Sequence, residues 1–156
     1  MRAPELEADF PGLLSAAYEV TSPQDPKYNC IAFAVGDLNH FWYDANVRGY
    51  YWPPDEPSAD TLEGWLRVFA IHGYAETDND SLEPLFEKVA IYAGSEGPKH
   101  VARQKASGLW TSKIGKGRDI EHAGLAALEG VLFGRVVKIM KRPCKDGKRV
   151  LESGTA

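Results

Sequence analysis

Apolar residues recur at helical spacing in the first half of the chain and at strand spacing in the second half. The pattern predicts one helix over Glu5–Tyr18 and a second that begins at Cys30, contains the apolar run to Val35, and either ends at Gly36 or continues beyond it. A third helix is predicted to begin after an N-cap at Ser58 or Asp60 and to end at Gly73, because Leu62, Trp65, Leu66, Phe69 and Ala70 share one helical face. The aromatic-rich segment Asn39–Pro54 has neither period and is interpreted as a long structured loop.

Four segments of the second half alternate in polarity or are rich in β-branched residues, and glycine-containing turns separate them. The predicted strands are Lys88–Ala93, His100–Ala106, Leu109–Ile114 and Val131–Met140. A short helix is predicted over Ile120–Glu129. Helices first and strands afterwards favour an α+β fold in which N-terminal helices, one of them carrying Cys30, pack on a C-terminal antiparallel sheet.

Length, charge and cysteine content indicate the number of domains, the partners and the compartment to expect. With 156 residues, the chain fits a single domain over 1–156, in which 142–156 is interpreted as a basic tail. The formal net charge of -4 gives no electrostatic reason to expect nucleic acid or an anionic membrane as partner. Without a signal peptide pattern or an apolar run long enough to span a bilayer, we expect a cytoplasmic protein. Its two cysteines, Cys30 and Cys144, suit a reducing compartment.

Cys30 is the residue best suited to covalent chemistry. In the first turn of a helix, a cysteine lies among unpaired backbone N–H groups at the positive end of the helix dipole. These groups stabilise a thiolate, and they also stabilise an oxyanion that forms at an attacked carbonyl. The structural interpretation is that Cys30 is a small buried hydrophobic residue that opens an apolar helix.

His100 is the candidate base, because it opens a strand just after the turn Gly94–Pro98. The order of elements, with Tyr28-Asn29-Cys30 at a helix start and His100 on the second of two strands, resembles the NlpC/P60, CHAP and wider papain-like superfamily. It also resembles an uncharacterised bacterial domain family with an Asn-Cys helix start and a His-x-Ala-Arg-Gln…Trp-Thr-Ser-Lys-x-Gly segment. The superfamily resemblance implies a cysteine hydrolase fold, a Cys30–His100 pair and a peptide or amide substrate.

The superfamily resemblance also implies a polar residue that orients the imidazole and a polar oxyanion donor upstream of the cysteine. For the orienting residue, Ser112 is the first choice, and the alternatives are Gln104, Asp119, Glu121 and His122. For the oxyanion donor, the Cys30 backbone N–H ranks first, and the side chains of Gln24, Tyr28 and Asn29 are further candidates.

We expect no cofactor and no metal. Cys30, His100, His122 and Cys144 are suitable zinc ligand types, but no local spacing brings two of them together. Two functional hypotheses result: a cysteine-dependent hydrolase or acyl transferase of the peptidase or amidase type, and a catalytically inactive papain-like binding module. The sequence does not decide between an enzyme and a binding protein.

Overall fold

A seven-stranded antiparallel sheet forms the body of the protein. The computed structural model describes residues 3–21, 30–35, 41–42, 50–53, 56–57, 59–114 and 118–144. In spatial order, the strands of the sheet are β1 (Tyr18–Val20), β8 (Asp119–His122), β7 (Trp110–Lys113), β6 (Gly97–Gln104), β5 (Phe86–Gly94), β9 (Arg135–Pro143) and β4 (Ala75–Thr77). Two further strands, β2 (Phe41–Trp42) and β3 (Tyr50–Tyr51), form a separate parallel pair.

The predicted fold class, N-terminal helices packed on a C-terminal sheet, is wrong. In the described part of the chain, only α3 (Leu62–Ile71) is longer than two turns. The other two α-helices, α1 (Pro4–Asp9) and α2 (Cys30–Val35), have six residues each. Early segments of the chain also supply the two edge strands of the sheet, since β1 pairs with β8 and β4 pairs with β9. Strands and helices are therefore interleaved along the sequence.

The N-terminal segment does not form the helix predicted over Glu5–Tyr18. Helix α1 ends at Asp9, a 3₁₀ helix follows over Pro11–Ser15, and β1 begins at Tyr18. Pro11 explains the interruption, because proline has no backbone N–H to donate and its ring clashes with the preceding helical turn. The apolar spacing is still used, since Phe10 and Leu13 are buried against the sheet.

Residues 119–129 also differ from the helix predicted over Ile120–Glu129. This segment forms β8 and then a 3₁₀ helix over Leu125–Leu128. Strand β8 pairs with β7 on one side and with β1 on the other, so its backbone groups bond to neighbouring strands. Tertiary pairing overrides the local apolar pattern here.

Most other elements match their predictions. The helix that begins at Cys30 is present as α2, and α3 begins after Thr61, whose hydroxyl accepts a hydrogen bond from the Gly64 N–H. The first three predicted strands correspond to β5, β6 and β7. The fourth begins later than predicted, because residues 130–134 form a loop before β9.

The predicted basic tail begins too early. Arg142 and Pro143, assigned to that tail, lie in β9, and residues 145–156 lie outside the described residues.

Alternation along β5 and β6 divides the core into two layers. Val89, Ile91 and Val101 face the layer that contains α2 and α3, and we call this side of the sheet the helix face. Ala90, Tyr92 and Ala102 face the layer built from α1, the two 3₁₀ helices and the 130–134 loop. We call this second side the loop face. The candidate residues that lie in strands of this sheet therefore project from one face or the other.

Candidate functional site

Cys30 is the first residue of α2 and is buried on the helix face. It belongs to the same apolar cluster as Ile31, Trp52, Trp65 and Val101. Removal from water raises the pKa of the Cys30 thiol to about 11, although the backbone amides of Val101, Ile31 and Cys30 itself act in the opposite direction. The thiol is therefore protonated at neutral pH, and its surroundings are those of a small buried hydrophobic residue.

His100 lies in β6 and is completely buried on the loop face. Its imidazole stacks on the Phe133 ring, with ring centroids 4.3 Å and planes 7° apart, and its ring centroid lies 5.3 Å from that of Tyr92. Neither ring nitrogen has a hydrogen-bond partner among the described residues. Burial, and to a lesser degree the nearby His122, place the pKa of His100 well below its ordinary value. His100 is a neutral side chain at physiological pH.

The structure does not bring Cys30 and His100 together. Cys30 packs with Val101, and the side chains of Val101 and His100 project from opposite faces of the same strand. No hydrogen bond joins the thiol to the imidazole, since both nitrogens of His100 lack partners. In this conformation His100 is not placed to take a proton from Cys30.

Three of the candidates for the orienting residue have other contacts. Ser112 lies on the loop face, like His100, but its Oγ is 2.8 Å from Nε2 of His122. Gln104 donates from Nε2 to the carbonyl of Asp80 at 3.1 Å. Asp119 is fully buried, with Oδ1 3.9 Å from Nζ of the equally buried Lys113. The proposed oxyanion donors Gln24, Tyr28 and Asn29 lie outside the described residues.

Ser112 and His122, both candidates for orienting His100, instead form a buried polar pair on the loop face, and this pairing was not predicted. His122 Nδ1 is 3.0 Å from the carbonyl of Gly124, which can only accept, so Nδ1 carries the proton of the neutral ring. Nε2 is then the acceptor, and the Ser112 hydroxyl donates to it. Burial lowers the pKa of His122, and the Gly124 carbonyl acts in the opposite direction. Although this is the hydrogen-bond pattern of a serine with its general base, both residues are closed to solvent.

Lys88 is a second feature that the sequence analysis missed. Its ammonium group is fully buried and donates to the carbonyls of Asn79 and Ser81 at 2.6 and 2.7 Å. It also lies 2.5 Å from Oε2 of Glu83. The hydrogen bond from Lys88, reinforced by one from Lys141, lowers the pKa of Glu83. The available sequence signal was a lysine next to the apolar run of β5. The contacts of Lys88 indicate that it holds the 79–83 loop against the sheet.

The zinc ligands considered from sequence are not assembled. Within the described ranges, no group of three or more His, Cys, Asp or Glu side chains is placed to hold a metal ion. Neither Cys30 nor Cys144 is in a disulfide, and Sγ of Cys144 is 3.8 Å from the carbonyl oxygen of Pro84. None of the helices in the described segments is long and apolar enough to cross a membrane.

Comparison with known proteins identifies a family for most of the chain. No curated protein and no solved structure matches the chain. A family model described as "Domain of unknown function (DUF7689)" matches residues 19–141. The matched segment includes the whole central sheet except part of β1 and the end of β9, and it contains Cys30, His100, Ser112 and His122. Since the match covers more than half of the sequence, the chain belongs to the DUF7689 family.

Proposed function

We propose that this domain is a non-catalytic binding module and that Cys30 has a structural role. The observation that carries the proposal is the placement of Cys30 and His100 on opposite faces of the sheet. A thiol hydrolase needs its base within hydrogen-bonding reach of the sulfur, directly or through one water molecule. Here the imidazole is enclosed by Tyr92 and Phe133 instead.

The protonation state of Cys30 supports the same proposal. The thiolate is the nucleophile, and a pKa of about 11 leaves roughly one thiol in 10,000 ionised at pH 7. Burial also keeps a carbonyl substrate away from the sulfur. Both effects oppose attack by Cys30 on a peptide or amide.

A cysteine-dependent hydrolase or acyl transferase is the second candidate, and one observation favours it. Three backbone amides, those of Val101, Ile31 and Cys30, are close enough to the sulfur to lower the pKa of the thiol. Such convergence of N–H groups also stabilises an oxyanion during acyl transfer. A conformational change that exposed Cys30 and presented a base would use this arrangement.

Alkylation kinetics distinguish the two candidates. The rate of Cys30 labelling by iodoacetamide is measured from pH 6 to 11 in a Cys144→Ser background, with and without His100→Ala. For a binding module we expect slow labelling that rises only in alkaline solution and is the same with or without His100. Rapid labelling well below the ordinary thiol pKa of about 8.5, lost in His100→Ala, would establish the thiol enzyme instead. Circular dichroism confirms that each variant is folded.

The groove that best fits a binding role lies between the first 3₁₀ helix and the 130–134 loop. Its volume is about 460 Å³, and Pro11, Val131 and Leu132 supply apolar lining. Val131 is fully exposed and Leu132 is 47% exposed, which is a large apolar surface for two adjacent loop residues. Asp9 and Glu129 add carboxylates to the same groove. We therefore propose a protein segment with apolar side chains and neighbouring lysine or arginine residues as the ligand.

A pair of model peptides tests the groove separately from Cys30. The binding of a fluorescein-labelled peptide of alternating leucine and lysine is compared with that of the corresponding leucine and glutamate peptide. We expect tighter binding of the lysine peptide, and at least a tenfold loss in Val131→Asp. Leu85→Asp is the control, because Leu85 is also exposed but lies outside the groove. Equal binding of both peptides, or binding that Val131→Asp does not weaken, would refute this surface.

A further inference from the structure

His100 occupies a site where its neutral form is tolerated and its charged form is not. The side chain is 0% exposed, and both ring nitrogens lack hydrogen-bond partners in the described structure. One face of the ring is covered by Phe133 at 4.3 Å. A positive charge without water or a hydrogen-bond acceptor is strongly unfavourable, so protonation requires a change in what covers the ring.

The Phe133 ring is attached to a short loop whose other side chains face outward. The loop is closed by two backbone hydrogen bonds between Gly130 and Gly134, with N···O distances of 2.9 and 2.8 Å. Val131 is fully exposed and Leu132 is partly exposed, so Phe133 is the loop residue that packs inward. Besides His100, it contacts Phe10, with ring centroids 4.7 Å apart. Phe133 is thus the loop side chain that covers the His100 ring.

The titratable groups around His100 do not supply a compensating negative charge. Tyr92 of β5 donates its hydroxyl proton to the carbonyl of Leu125. His122 of β8 already uses both ring nitrogens, and its own protonation would repel a charged His100. Glu129 helps to raise the pKa of Tyr92 and accepts a hydrogen bond from the Val136 N–H, whereas the pKa of His100 is set by burial and by His122. A charged His100 would therefore be stabilised by water that reaches the ring when the loop moves away.

We propose that the Gly130–Gly134 loop is an acid-operated lid, in which protonation of His100 releases Phe133 while the sheet remains folded. The loop can move as a unit, because its two ends are bonded to each other. Opening would expose Phe133 beside the already exposed Val131 and would give water access to His100. Below pH 6.5, each further pH unit raises the ratio of open to closed loop about tenfold, until the pKa of the buried ring is reached.

NMR spectroscopy of the full chain tests the lid directly. The ¹H–¹³C signals of the His100 ring and of the Phe133 ring are followed from pH 7.5 to 4.5. While the rings are stacked, the His100 proton signals carry a ring-current shift from Phe133. We expect this shift to disappear at the same pH at which His100 becomes protonated, while the backbone signals of β5 and β6 keep their native positions.

Two variants separate lid opening from general acid unfolding. In Phe133→Ala the cover of the imidazole is removed and water can reach the ring, so the pKa of His100 should move upward toward 6.5. In His100→Leu the loop should stay closed at pH values that open the parent protein. Protonation of His100 with the ring-current shift retained would overturn the proposal. Loop opening at an unchanged pH in His100→Leu, or loss of all native signals together, would also overturn it.

Discussion

The hydroxyl of Ser112 donates a hydrogen bond to Nε2 of His122, and the two atoms are 2.8 Å apart in the interior of the loop face. Because Nδ1 of the same ring is bonded to the Gly124 carbonyl, the imidazole is satisfied at both nitrogens. His100, on the same face, is satisfied at neither. The two buried histidines therefore make different contributions to stability, and these can be measured separately.

Removing the Ser112 hydroxyl should destabilise the domain by about 1–3 kcal/mol, because it leaves Nε2 of His122 buried without a donor. The free energy of unfolding is measured by urea denaturation of Ser112→Ala at pH 7.5. Ser95→Ala is the control, since Ser95 is an exposed residue in the turn between β5 and β6. If both variants unfold at the same urea concentration as the parent, the hydrogen bond does not contribute to stability.

The sequence was sufficient to locate β5, β6 and β7, because their alternation and their glycine-containing turns are local signals. It also placed Cys30 at the start of a helix. It could not show that α2 packs on the face of β6 that carries Val101 rather than the face that carries His100. Neighbouring residues of a strand point to opposite faces of the sheet. A shift of one residue along β6 therefore decides whether a histidine lies on the same side of the sheet as Cys30 or on the other side.

The Ser112–His122 pair was missed for a related reason. The segment Ile120–Glu129 was predicted to be a short helix. Its first part instead forms β8, where Ile120 pairs with Ser112 and His122 pairs with Trp110. Only this register brings the His122 ring beside the Ser112 hydroxyl, and register depends on long-range strand pairing.

The stability of the domain should fall when the pH is lowered below about 6.5. The pKa values of His100 and His122 are lower in the folded protein than in the unfolded chain, so the unfolded state binds more protons in this range. Stability is therefore complete above pH 6.5 and is lost as the pH falls toward the folded pKa values, by up to about 1.4 kcal/mol per pH unit for each histidine.

Urea denaturation at pH 7.5, 6.5 and 5.5 checks this dependence. His100→Leu should reduce the slope of stability against pH, because it removes one of the two buried groups. His72→Gln is the control, since His72 lies at the end of α3 and its replacement leaves the loop face intact. A slope that is the same in the parent and in His100→Leu would be inconsistent with the expected role of His100.

Replacing Lys88 by methionine should destabilise the protein by about 1–3 kcal/mol. The change removes the buried donor to the carbonyls of Asn79 and Ser81, and it breaks the ion pair with Glu83, whose side chain is 28% exposed. Lys138→Met is the matched control, because the Lys138–Glu76 pair is at the surface, where solvent screening makes an ion pair weak. Thermal denaturation gives the stabilities, and hydrogen exchange should show the 79–83 loop losing protection in Lys88→Met. Equal effects of the two substitutions would contradict the assigned role.

Gly134 should not tolerate a side chain, and the reason is local. Its φ of +73° lies in the left-handed region, and a Cβ at this position would be 2.1 Å from the carbonyl oxygen of Ala93. The left-handed conformation and the overlap with backbone together should cost about 3 kcal/mol in Gly134→Ala. Gly94→Ala is the control, because nothing lies within 4 Å of the corresponding Cβ and its φ is not in the left-handed region. Comparable unfolding midpoints for the two variants would mean that the start of β9 moves away from β5 at little cost. The close approach of Gly134 to Ala93 would then not hold the 130–134 loop in place.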